Sequence, residues 1–222
     1  QQAVVIARED TPDDKRLVAY IVPDSVQTAE SSTQQLKQLQ VDHTSSRQSI
    51  FQTLNSQKNE LGGTTADLHF NITGWTNSYT GLPIPAHEMA EWGDNTVAGI
   101  RALKPERIWE IGCGTGLLLS QLAPDCVEYF GTDYSDQALQ YMEGLKAATP
   151  GLSHVELGLR QADDFSDVKE GQFDCVILNS IVQYFPSADY LVTVLEGAVR
   201  AVRPGGTIYV GDVRNLNLLE AF

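Results

Sequence analysis

The run Glu110-Ile111-Gly112-Cys113-Gly114-Thr115-Gly116 sets glycines at every second position directly behind a carboxylate. The apolar stretch Ile108 to Ile111 ahead of it reads as a buried strand, and residues 116–122 read as a helix. The glycines therefore sit at a strand's carboxyl end, the edge where open α/β sheets bind ligands. Gly112 and Gly114 take backbone angles closed to other residues and let a ligand approach the main chain, and Gly116 lets the following helix pack close. A dinucleotide loop is spaced G-x-G-x-x-G and sets a pyrophosphate on the helix N-terminus. Here the spacing is G-x-G-x-G, and Glu110 would repel a pyrophosphate while suiting an amino group or a sulfonium. Seventeen residues past Gly116, Asp133 ends a second strand, where a carboxylate accepts from both hydroxyls of a ribose. After a third strand, Ala162, Asp163, Asp164 and Phe165 bring acids and an aromatic ring to where an adenine would lie. Cys113 in the loop and Tyr134 beside Asp133 fall in the same expected site. The ligand these positions describe is a phosphate-free nucleoside with a positive, amino-acid-like end, and S-adenosylmethionine meets each requirement. The competing reading makes Gly112 and Gly114 a tight turn and Asp133 a helix cap, which leaves Glu110 without a purpose among apolar neighbours.

The elements that must position these residues alternate in type. Strands are expected at Val127 to Thr132, Val155 to Leu159, Asp174 to Leu178 and Thr207 to Gly211. Helices are expected at Asp136 to Ala147, with Ser135 as N-cap, and at Ala188 to Val202, with Leu191, Val194, Leu195, Ala198 and Val199 on one face. Arg203-Pro204-Gly205-Gly206 is expected to stop that helix. Strands alternating with crossover-length helices imply an α/β fold, a doubly wound parallel sheet of Rossmann-like type with helices on both faces. The first residues differ: Val4 to Ala7 and Leu17 to Val22 flank a turn of Pro12, Asp13 and Asp14, a hairpin too small to stand alone. Residues 24–60 are rich in Gln and Ser and have linker composition. Within them Ile50, Phe51 and Leu54 share one face of a possible short helix.

Composition narrows the classes. Of 222 residues, 42% are apolar, enough for a core, and no run approaches the roughly 18 residues of a membrane span. A net charge of −14 argues against wrapping nucleic acid. Cys113, Cys126 and Cys175 are too scattered for a disulfide frame or a zinc site, which fits a cytoplasmic protein with reduced thiols. His69, His87 and His154 show no ligand spacing, and no metal is expected.

Beyond the fourth strand stands ILNSIVQYFPSADYL. With the glycine loop it resembles the methyltransferase domains embedded in adenylation domains of nonribosomal peptide synthetases, specifically the members that N-methylate amino acids, and within these the microcystin-type synthetases of cyanobacteria. GWTNSYTGLPIPAHEMAEW is similar to the lead-in of those domains, and residues 3–23 resemble adenylation-subdomain strands just ahead of the insertion. The resemblance implies residues 1–23 as adenylation strands, 24–66 as linker, and 67–222 as a class I methyltransferase domain lacking its last strands, weak or inactive alone. It departs ahead of Phe70, where the family's Trp and Tyr are missing. It implies S-adenosylmethionine as cofactor and, as partners, a flanking adenylation domain and a peptidyl carrier domain bearing an aminoacyl-phosphopantetheine thioester, with neither nucleic acid nor membrane.

The implied acceptor is that aminoacyl α-amine. Methyl transfer from a sulfonium needs mainly orientation and desolvation, and the electron-withdrawing thioester already favours a neutral amine. Asn179, ending the fourth strand, is expected to border the methyl group and to touch cofactor or amine. Gln183 and Tyr184 would form the acceptor wall, although Tyr184 and Phe185 also suit core packing. Asp212 would receive the proton, with Arg214 pairing with it or meeting the carrier arm; a plain surface ion pair is the alternative. Tyr79, near Gly81, would close over the methionine end, while Trp75 reads as core. Three rivals stay open: a C- or O-methyltransferase on the same scaffold, a non-catalytic spacer module, and a nicotinamide oxidoreductase, the last disfavoured by the loop spacing and Glu110.

Overall fold

A computed structural model describes residues 2–11, 14–22, 69–72, 74–77 and 80–213. The chain divides into two compact units, residues 1–46 and 47–222. In the first, β1 (Gln2–Thr11) pairs antiparallel with β2 (Asp14–Val22), from Gln2 opposite Val22 to Thr11 opposite Asp14. Both strands run beyond the expected cores, the pairing continuing through Arg8–Arg16 and Glu9–Lys15 toward the turn. Ile50, Phe51 and Leu54 lie outside the described residues.

The second unit holds a sheet of five parallel strands, β3 (Arg107–Ile111), β4 (Glu128–Asp133), β5 (Val155–Leu159), β6 (Phe173–Asn179) and β7 (Val202–Gly211), in the order β5-β4-β3-β6-β7. The order reverses between β3 and β6, which opens a crevice at their carboxyl ends. Helices α1 (Ala86–Ala102), α2 (Leu119–Leu122) and α3 (Asp136–Ala148) cover one face, where Val97, Ile100, Leu119, Leu122, Met142 and Leu145 pack against Ile108, Tyr129, Cys175 and Ile177. On the other face α4 (Ala188–Ala201) sets Val194, Ala198 and Ala201 against Trp109, Phe173, Val176 and Leu178. This is the expected doubly wound α/β architecture.

Several elements differ from the sequence reading. Helix α1 was not expected, although Met89, Gly93, Thr96, Val97 and Ile100 recur at helical spacing and are buried, with Pro85 at the N-cap. The helix after the glycine loop is short: Gly112, Gly114 and Gly116 all have φ between 53° and 77°, so helical backbone begins only at Leu119, and a 3₁₀ turn carrying Pro124 follows Leu122. Along α4 the buried stripe is Val194, Gly197, Ala198 and Ala201, while Val199 is exposed. Gly197 belongs to it because a Cβ there would collide with the Phe165 ring. The segment Arg203 to Gly206 lies within β7 as a bulge between the pairs Phe173–Val202 and Cys175–Thr207. It is held by Asp174, which accepts from Arg203 Nε and from the backbone N–H groups of Glu106 and Arg107. Ser135 caps α3 as expected, its Oγ accepting from Ala138 N at 3.3 Å.

Candidate functional site

Strand alternation fixes which side chains share a face. Register pairs Ile108 with Tyr129 and Cys175, and Glu110 with Gly131 and Ile177. Two residues further along their strands, Asp133 and Asn179 therefore lie on the face that carries Glu110. These three polar residues crowd the carboxyl edge beneath α1, α2 and α3, at 4%, 7% and 8% exposure.

Glu110 Oε2 accepts from Tyr129 Oη at 2.8 Å. Burial pushes its carboxyl up to about 8, the Tyr129 hydroxyl pulls the other way, and the nearby Asp133 adds to the rise. A buried carboxyl so reluctant to ionise wants a cation beside it. Asp133 is anchored at both oxygens, Oδ2 accepting from Gly114 N at 2.9 Å and Oδ1 from Ser135 N at 2.8 Å. Burial raises its pKa while the backbone N–H groups of Ser135, Gly114 and Tyr134 offset part of that rise. Each carboxylate oxygen has two lone pairs, so each keeps an acceptor site that a vicinal diol can fill.

The glycines divide their work. A Cβ on Gly114 would meet nothing within 4 Å, so open space for a ligand begins there. On Gly112 it would meet Ile181 Cγ2 at 2.6 Å, and on Gly116 it would run into Met142 of α3. Gly112 thus makes room for Ile181 rather than for a ligand, and Gly116 admits α3 rather than the helix that follows it in sequence. The Cys113 side chain is buried in the core close to Gly131, with a thiol pushed well up by burial and by Glu110 and Asp133, so only its backbone belongs to the loop.

Not every residue expected near an adenine converges here. Phe165 is half-buried, its ring edge-on against Trp109 at 5.0 Å and under α4. Asp164 closes its own turn, accepting from Ser166 N at 2.9 Å and Ser166 Oγ at 2.6 Å. Asp163 accepts from Tyr190 Oη of α4 at 2.8 Å. Ala162 is half-buried beside the α4 cluster, and Tyr134 is half-buried. Glu110 and Asp133 therefore form the shared acidic pair, and Asp163 and Asp164 stand apart from it with partners of their own.

At the tip of β6, Asn179 Nδ2 donates to Ser180 Oγ at 3.2 Å, and its Oδ1 has no hydrogen-bond partner among the described residues. The exposed 3₁₀ turn Val182–Tyr184 follows, carrying Gln183 and Tyr184, the latter 56% exposed. Phe185 packs against Tyr190 at 5.1 Å. Asp212, beyond β7, accepts from Ser180 Oγ. Tyr79 and Arg214 lie outside the described residues.

Sequence reasoning missed three contributors. Tyr129 holds Glu110; its place two residues before Gly131 on a strand whose alternation was legible was the available signal. Ser180 links Asn179 to Asp212 across two strands, which no spacing in one segment reveals. Thr115 Oγ1 donates to Asn71 O at 2.7 Å, fastening the lead-in segment to the glycine loop, while Trp75 of that segment packs on Trp92 of α1 at 4.7 Å. His154 bonds Ala123 O, a structural tie as expected.

Comparisons with known proteins bear on the family and the fold. A family model described as a methyltransferase domain matches residues 109–208. The chain is 49% identical over 210 residues to a chondramide synthase of Chondromyces crocatus, covering 95% of this chain and 5% of that protein. It is 37% identical over 221 residues to a probable non-canonical nonribosomal peptide synthetase of Salinispora arenicola, covering 100% of this chain and 3% of that one. The chain thus spans about a twentieth or less of the curated relatives it matches. Among solved structures, the N-methyltransferase NodS of Bradyrhizobium japonicum aligns with a TM-score of 0.50 at 19% identity, over 59% of this chain and 73% of that one, a likeness of fold. The microcystin-type likeness rests on the sequence motif alone. Residues 109–208 are a methyltransferase domain of the class I, S-adenosylmethionine-dependent fold, and the chain belongs with the segments of nonribosomal peptide synthetases to which it is homologous.

Proposed function

We propose that this chain is the methyltransferase segment of a synthetase module and N-methylates the α-amine of an aminoacyl thioester on the phosphopantetheine arm of a peptidyl carrier domain, in the biosynthesis of a secondary metabolite. The observation that carries this reading is Asn179: a buried amide at the tip of β6, with an unpartnered acceptor oxygen, on the same face as Glu110 and Asp133. An amine N–H needs such an acceptor to aim its lone pair. On this reading residues 1–23 are adenylation-subdomain strands, 24–66 a linker and 67–222 the methyltransferase domain, with the adenylation domain as flanking partner. The free thiols of Cys113, Cys126 and Cys175 and a thioester substrate suit a reducing, cytoplasmic setting.

The residues fit the cofactor: an acid that favours a cation, a second acid with an acceptor left on each oxygen, and open space over Gly114. S-adenosylmethionine supplies, when bound, a methyl group on a positively charged sulfur. Asp133 holds its ribose hydroxyls and Glu110 its charged amino-acid end. Ala162 and Asp163 line the adenine side. Asn179 Oδ1 orients the amine, Gln183 and Tyr184 wall the acceptor, and the Asp212 carboxylate takes the proton. The test uses the module with its carrier domain loaded, incubated with S-adenosylmethionine and read by mass spectrometry with fragmentation. One added methyl on the aminoacyl nitrogen is expected. A methyl on carbon or oxygen, or S-adenosylhomocysteine binding with no transfer at all, overturns the reading.

A further inference from the structure

The tips of β6 and β7 are built alike. Asn179 and Gly211 are in register, and each is followed by a non-glycine residue in the left-handed region, Ser180 at φ 58° and Asp212 at φ 55°. That backbone is disfavoured for residues with a Cβ, more so for serine than for aspartate. The paired turns bring three side chains into a directed chain. Ser180 Oγ donates to Asp212 Oδ2 at 2.5 Å and accepts from Asn179 Nδ2 at 3.2 Å, while Ser180 N donates to Gly211 O at 3.2 Å. A hydroxyl has one proton to give. Because Ser180 commits it to the Asp212 carboxylate, its oxygen can only accept from Asn179. The Asn179 amide must then turn its nitrogen to Ser180 and its oxygen away, and that oxygen is the buried, unpartnered one.

We propose that Ser180 is a positioning residue for the methyl transfer: through one hydroxyl it sets both hydrogen-bond acceptors offered to the incoming amine, Asn179 Oδ1 and the Asp212 carboxylate. This rests on the amine-methylation reading above. In that reaction the nitrogen lone pair forms the new N–C bond, sulfur keeps the pair of the C–S bond that breaks, and the surplus proton passes from nitrogen to Asp212 and on to water. Ser180 touches none of the reacting atoms.

Ser180→Gly separates this role from a structural one, because glycine relieves the left-handed backbone while removing the hydroxyl. In the carrier-loaded module, Ser180→Gly is expected to raise Tm, to leave S-adenosylhomocysteine affinity by calorimetry unchanged, and to lower kcat for amine methylation roughly 10- to 100-fold, the scale of a misplaced reacting group. Ser180→Asn tolerates the same backbone and keeps a donor and an acceptor, so it is expected to recover part of kcat. Asp212→Asn is expected to cost at least as much as Ser180→Gly, and the double variant less than the two losses combined, since Ser180 acts in part through Asp212. A Ser180→Gly variant with higher Tm and undiminished kcat overturns the assignment while leaving amine methylation standing, and so does one that loses S-adenosylhomocysteine binding. A wild-type module that methylates no amine brings down the underlying reading, and the assignment with it.

Discussion

Glu110 makes cofactor binding a proton-linked event. In the ligand-free protein its carboxyl is pushed up to about 8, chiefly because burial disfavours the charged form. A cation seated beside it restores the anion, since an opposite charge within a few ångströms lowers a carboxyl pKa. At pH 7 about nine free molecules in ten carry the proton, so ligand binding is expected to release roughly 0.9 proton. Only the ionised form pairs with the cation, so affinity is expected to rise nearly tenfold per pH unit below pH 7 and level off above 8, roughly 50-fold or about 2.3 kcal/mol from pH 6 to pH 8. Isothermal titration calorimetry in two buffers of different ionisation enthalpy counts the protons directly. Comparing S-adenosylmethionine with S-adenosylhomocysteine, which keeps the ammonium and loses the sulfonium charge, tells which cation Glu110 reads. Glu110→Gln is expected to bind weakly and without pH dependence. Affinity flat from pH 6 to pH 8 with no proton released would refute the placement of a cation at Glu110.

The same carboxyl acts on the fold. Its folded pKa lies above the ordinary 4.5, so between about 4.5 and 8 the native state holds a proton that the unfolded chain has lost, and stability falls as pH rises through that window by an amount on the order of 5 kcal/mol. Glu110→Gln is therefore expected to gain Tm over wild type at pH 8 and little at pH 5, as thermal unfolding across that range would show. Asp133→Ala removes both ribose acceptors and the anchor on Gly114 N, and is expected to reduce S-adenosylhomocysteine affinity at least 100-fold by calorimetry, about 2.7 kcal/mol. Asn179→Ala is expected to spare that affinity and to lower turnover in single-turnover methylation of the loaded carrier. Gly112→Ala forces a methyl into Ile181 at a positive φ and is expected to cost about 2 kcal/mol in urea unfolding, within the usual range for overpacking.

Much of the sheet was legible. β5 ends where the alternation of Val155, Leu157 and Leu159 predicts, and the Ser135 cap opens α3, because both signals are local. Helix α1 escaped notice because Gly93 and Thr96 dilute its apolar stripe, although tertiary packing buries both. The β7 bulge looked like a loop because proline and two glycines signal a turn, whereas the ties from Asp174 hold the same residues inside the sheet.

By itself the sequence determined the order of strands and helices, the glycine loop behind Glu110, and the acids that close β3 and β4, since each depends on short-range spacing and residue chemistry. Only the tertiary structure decided which of those groups meet. It paired Glu110 with Tyr129, gave Gly112 to Ile181 and Gly116 to Met142, set Phe165 edge-on against Trp109, and joined Asn179, Ser180 and Asp212 across neighbouring strands. Register between parallel strands and the packing of helices on them are set by contacts distant in sequence, so a linear motif can name candidates for a site without saying which side chains share it.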